Sequence, residues 1–462
     1  MKRNWILFVF FLSSVLFIKC STEELLLEAV PGEELSGGSG TVFRSSANAF
    51  GFANPNLNSE QELFFFVGNS LFNQNWVTAP ASTTARDGIG PLFNARSCSG
   101  CHFKDGRGRA PEFEGERVHG LLLRLSTGND PNTGPIPDPN YGDQLQDQSI
   151  LGVPTEADFR ISYEEITGTY PDGTPYTLQR PIYQIVNQEE GEVVASNISP
   201  RVANQIIGMG LLEAIPEDAL LALVDENDAN GDGISGRANY VWNVEAQSNT
   251  IGRFGWKANQ PTVRQQVAAA FAGDMGITSS IFPDDNCPPS VDCAEIPNGG
   301  NPEIDADNFS QVVLYTSTLA VPARRDWEDQ DILLGKALFK EANCSGCHNP
   351  QFTTGDHSTF DALSNELIFP YTDLLLHDMG EGLADNSPEF LANGQEWRTP
   401  PLWGIGLFNI VNNHTNYLHD ARARNLEEAI LWHGGEAEQS KNAFMNMSAT
   451  ERAQVIKFLN SL

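Results

Sequence analysis

Two five-residue strings in this chain point to one chemistry. Cys98-Ser99-Gly100-Cys101-His102 recurs as Cys344-Ser345-Gly346-Cys347-His348. Two thiols at this spacing reach the two vinyl groups of one porphyrin, and the adjoining histidine turns under the ring to ligate iron. A zinc site or a dithiol redox pair would use the cysteines, but neither explains a histidine directly after both copies. The expectation is two covalent c-type haems on Cys98, Cys101, Cys344 and Cys347, with His102 and His348 as proximal iron ligands.

Other residues suggest smaller sites. Cys287 and Cys293, in Cys287-Pro288-Pro289-Ser290-Val291-Asp292-Cys293, are expected to form a local disulfide, the default in an oxidising compartment. Nothing basic nearby would activate either thiol. Asp228, Asn230 and Asp232 put side-chain oxygens at loop positions 1, 3 and 5, with Gly233 at 6 and the Ile234 carbonyl at 7. That is the first half of a calcium loop. Asn239 stands where a bidentate glutamate would close it, so the expected calcium site is a weak one. The alternative is an Asx-rich turn without metal.

The elements that must position these residues read mainly as helix. Leu334-Gly335-Lys336-Ala337-Leu338-Phe339 runs into the second haem motif. Val67-Gly68-Asn69-Ser70-Leu71-Phe72 repeats the pattern ahead of the first. Near the end, Ser448 with Glu451 makes a capping box, and Val455, Ile456, Leu459 and Leu462 share a face. Asn425 with Glu428 opens the preceding helix, and Gly434-Gly435 stops it. Residues 105–200 and 280–305, rich in Pro and Gly, read as irregular connections. The expected fold is mainly α: two cytochrome c-like haem domains, 45–310 and 320–462, the first with a long irregular insertion carrying the calcium loop.

The chain opens on Met1-Lys2-Arg3, followed by an uncharged run from Ile6 to Ile18. A bilayer span needs ~20 apolar residues, so the run reads as a secretory signal over residues 1–20. Cys20 stands where a lipid-bearing cysteine would, although Lys19 is not the small residue expected before such a cut. Export to the periplasm or cell envelope is the expectation, with membrane contact only through Cys20. Formal charge is −32. Such acidity argues against nucleic acid and anionic lipid as ligands and suits a basic partner, such as a small electron-donor cytochrome.

Pro91 to Gly108, around the first haem motif, resembles the corresponding segment of the family called di-haem oxidoreductase, putative peroxidase. So do Gly252 to Ala258, Leu376 to Asp385, Glu396 to Gly404, Tyr417 to Asp420 and Leu431 to Ala437. The resemblance covers about residues 45–462. That family is similar in turn to bacterial di-haem cytochrome c peroxidases. It implies hydrogen peroxide as substrate, Trp256 as an electron bridge between haems, Gln266 as a hydrogen-bonding group in the peroxide pocket, and Asp274 as the acid–base residue. In those peroxidases the segment matching Tyr417 to Asp420 has a methionine ligand at the position of Leu418, which cannot bind iron. Met379 is then the favoured distal ligand of the haem on His348, ahead of His377, His433 and Tyr417, and His119 is a candidate for the other haem. The leading reading is an exported di-haem peroxidase. The alternatives are an electron-transfer di-haem cytochrome without catalysis, and a di-haem oxidase acting on a protein or thiol.

Overall fold

The computed structural model describes residues 27–462 except 114, 117, 119 and 288. The signal segment with Cys20, and His119, lie outside the described residues.

Each haem motif follows a helix that crosses a later helix through a glycine. Helix α1 (Ser59–Asn73) starts at a capping box between Asn58 and Gln61 and buries Phe65, Gly68, Leu71 and Phe72. A side chain at Gly68 would strike the Gln311 carbonyl, so only glycine lets the two backbones approach this closely. Gln311 belongs to a helix over Ala306–Thr318. Gly335, in the helix Gln330–Glu341, meets the Gln454 carbonyl of the C-terminal helix Ala449–Ser461 in the same way. The repeated sequence pattern is thus a repeated helix crossing. Asn425 and the Ser448–Glu451 box cap their helices as expected, and Cys287 and Cys293 are joined by a disulfide.

The mainly α expectation is corrected. Among the described residues helix accounts for 28% and strand for 19%, spread over many small sheets, and nothing marks out two cytochrome c-like domains. Most of the unexpected strand lies in the stretch read as irregular. Strand β1 (Leu121–Ser126) pairs antiparallel with β4 (Asn197–Val202), and β2 (Asp158–Thr169) pairs with β3 (Pro175–Val186) in a long hairpin. Leu121, Leu123 and Leu125 alternate inward along β1. In the hairpin Phe159, Ile161 and Tyr163 face Ile185, Tyr183 and Pro181. Period-2 alternation of inward apolar residues made these strands, and Gly168, Pro175, Pro181 and Pro200, which hid the pattern, lie within them. Gly173 (φ 87°) closes the hairpin, its N–H donating to Tyr170 O. One apolar core runs through both halves of the chain, from Phe50 and Phe65 to Phe408 and Phe458.

Candidate functional site

Both haem motifs fold alike. The His102 amide donates to Cys98 O at 2.9 Å, and the His348 amide to Cys344 O at 3.0 Å. Each turn brings its histidine ring to a backbone carbonyl: His102 Nδ1 donates to Asn204 O (2.6 Å) and His348 Nδ1 to Tyr371 O (3.0 Å). Pinning Nδ1 as the donor leaves Nε2 with a bare lone pair, the tautomer an axial iron ligand needs. Burial holds both rings neutral, pushing His348 down to about 4 and lowering His102. Burial also pushes the Cys98 and Cys344 thiols up to about 12, which argues against thiolate catalysis at either motif.

Cys344, Cys347 and His348 wall a large cavity whose other faces are mostly apolar, including Leu383, Trp397, Phe408 and Leu459. An apolar slot with a neutral imidazole at one face fits a porphyrin. Trp256 lines the same cavity. Its indole N–H donates to Val202 O at 2.8 Å, and the Arg107 guanidinium lies 5.2 Å over its ring. Arg107 also walls a second cavity, against Cys101 of the first motif, together with Phe103 and His414. Arg107 therefore touches both cavities, and Trp256 lies against it in the one at His348.

The candidate distal ligands separate by their hydrogen bonds. His377 has both nitrogens engaged, Nε2 with Asp373 (2.8 Å) and Nδ1 with Glu436 (2.9 Å). Burial alone would lower its pKa, but Asp373 raises it well above the ordinary histidine value, so His377 is a cation without a free lone pair. His433 Nδ1 donates to Ala429 O at 2.7 Å, the arrangement seen at His102 and His348, and burial again favours the neutral ring. It lines the His348 cavity, as do Met379 and Tyr417. His419 also lines this cavity, its Nδ1 on Pro200 O (3.0 Å), its Nε2 buried without a partner and its ring stacked 3.8 Å from Trp397.

Asp274 ends the helix over Val263–Met275, which Thr262 caps and Gly276 stops. Its backbone carbonyl accepts from Asn94 and Ala95, tying the helix end to the segment before the first motif. Its carboxylate accepts from Gln144 Nε2 at 2.8 Å and acts electrostatically on Cys98, Cys101 and His102. Burial raises its pKa. Gln266, half-buried on the same helix, lines neither cavity. Its neighbour Gln265 points inward and donates to Trp242 O (3.0 Å).

The 228–234 loop closes on itself. Gly233 N donates to Asp228 Oδ1 (3.1 Å), Asp232 N to Asn230 Oδ1 (2.8 Å) and Ile234 N to Asp232 Oδ1 (2.9 Å). Asn239 is committed elsewhere, donating to Lys257 O and Glu389 O. Among the described residues no group of three or more His, Cys, Asp or Glu gathers to hold a metal ion.

Sequence reasoning missed Arg107, Arg398, Gln144 and Asn94. Arg107 lay inside the resembling segment, five residues after His102. Gln144 carried no local signal, since only the fold brings it to Asp274.

A model of the family described as di-haem oxidoreductase, putative peroxidase, matches residues 32–462, and the chain belongs to that family. No curated protein and no solved structure matches the chain significantly.

Proposed function

We propose that this chain is an exported di-haem c-type peroxidase that reduces hydrogen peroxide beside His102 with electrons delivered through the His348 site. What supports the reading is Arg107, which walls a cavity at each motif and lies over Trp256, together with the buried acid Asp274, which acts electrostatically on Cys98, Cys101 and His102. When bound, the haems supply the iron that takes up peroxide and the electrons that reduce it.

The chain's own residues do the rest. His102 and His348 would hold the haem irons through Nε2, each ring oriented by its Nδ1–H bond. On the His348 side, His433 rather than Met379 would supply a second nitrogen to the iron, because its Nδ1 is fixed as a donor and its Nε2 makes no hydrogen bond among the described residues. Trp256 relays electrons between the sites. As the carboxylate, Asp274 would take a proton from one peroxide oxygen and return it to the other; burial raises its pKa and so strengthens it as a base, and Gln144, donating to it at 2.8 Å, fixes its orientation. The overall balance is one peroxide, two electrons and two protons giving two waters. The donor we infer is a small basic redox protein, attracted by the acidic surface.

Asp274→Asn tests the assignment, because an amide oxygen can still accept from Gln144. Turnover of peroxide by the reduced protein should fall roughly 10²–10⁴-fold, with both haems attached. Turnover at the wild-type rate would remove Asp274 from the mechanism.

A further inference from the structure

Two buried arginines stand beside Trp256 without an anionic partner. Arg107 and Arg398 are each 5% exposed, and neither makes an ion pair among the described residues. Their donors go to neutral carbonyls: Arg107 Nη2 to Leu418 O, Arg398 Nε to Gly255 O (2.7 Å) and Nη1 to Thr399 O (3.0 Å). Arg107 Nε is buried with no partner. The carboxylates whose charge reaches them are already taken, Asp420 by Arg422 (2.8 Å) and Asp373 by His377 (2.8 Å). An uncompensated buried guanidinium is costly, so an anion is missing from the balance. Both side chains wall the cavity of Cys344, Cys347 and His348, and Arg107 also walls the cavity against Cys101. They flank the bridge as well: the Arg398 amide donates to Trp256 O (2.9 Å), and Arg107 lies over the indole.

We propose that Arg107 and Arg398 form a clamp for the carboxylate side chains, the propionates, of the haem attached at Cys344 and Cys347, turning that edge of the ring toward Trp256. Guanidinium forks match carboxylates in geometry and charge. This inference rests on the di-haem reading and adds the orientation of one haem. It also gives Arg107 contact with both sites. A cation beside a haem favours the ferrous state, which carries less positive charge, so removing one lowers that haem's potential.

The test uses the purified holoprotein with Arg107→Gln, Arg398→Gln and the matching lysine variants. Haem content by intact mass comes first. A wild type lacking two haems refutes the di-haem reading itself, whatever the arginines do. In fully loaded protein, redox titration followed optically should show Arg398→Gln lowering the potential of one haem and Arg107→Gln lowering both. The lysine variants should shift less, since they keep the charge. If Arg107→Gln does not fold, Arg398→Gln carries the test alone. Glutamine variants titrating at wild-type potentials would overturn the clamp. So would wild-type potentials that depend on added inorganic phosphate, which would assign the arginines to a free anion.

Discussion

His102, His348 and His433 share one hydrogen-bonding arrangement, and it decides what each can do. With Nδ1 spent on a carbonyl, the only lone pair left is on Nε2. His433→Ala should convert the haem on His348 from low-spin to high-spin, added imidazole should reverse the change, and Met379→Leu should leave the optical spectrum unaltered. A spectral change in Met379→Leu alone would restore the methionine. Trp256→Leu should keep both haems and nearly wild-type spectra while slowing electron transfer between them. Because losing a buried aromatic can cost ~3 kcal/mol in packing, transfer after flash reduction must be compared with the melting temperature. A folded, fully loaded variant with unchanged transfer would remove the bridge. At this scale much was legible. The two Cys-x-x-Cys-His strings are contiguous, so they could be read directly, and the structure turns both in the same way. Gln266 shows where such reading stops: a one-residue step on a helix turns a side chain by about 100°, and the inward position went to Gln265.

At the scale of elements, helices were legible through their caps and the strands were not. Asn425 and Ser448 mark helix starts by side-chain chemistry that depends on a few neighbours. The hairpin over residues 158–186 depends on alternation that proline and glycine interrupt, and composition outweighed pattern there. Its base carries a testable charge. Glu156, just before β2, is buried, its Oε2 accepting from Gln146 N at 2.7 Å. Burial pushes its pKa up to about 8 from an ordinary 4.5. The unfolded chain therefore releases this proton near 4.5, while the folded chain holds it to about 8. The contribution to stability is then fully favourable below 4.5 and is lost as pH rises to about 8. Glu156→Gln should flatten the decline in melting temperature over that window, since a neutral amide can still accept from Gln146. An unchanged slope would mean that Glu156 is already ionised in the fold.

At the scale of the whole molecule, two similar helix crossings share one large apolar core, which brings Arg107 to a cavity at each motif and Trp256 to the one at His348. No local pattern could show that convergence, because Arg107, Trp256, Arg398 and Phe408 come from distant parts of the chain. The central claim is that the two sites act as one two-electron unit on peroxide. It is tested most directly by fully reducing the holoprotein, adding peroxide below stoichiometry without oxygen, and following the ferrous haem bands. The account predicts that each peroxide oxidises two haems, one at each site. Ferrous bands that survive excess peroxide, or oxidation confined to a single haem, would contradict it.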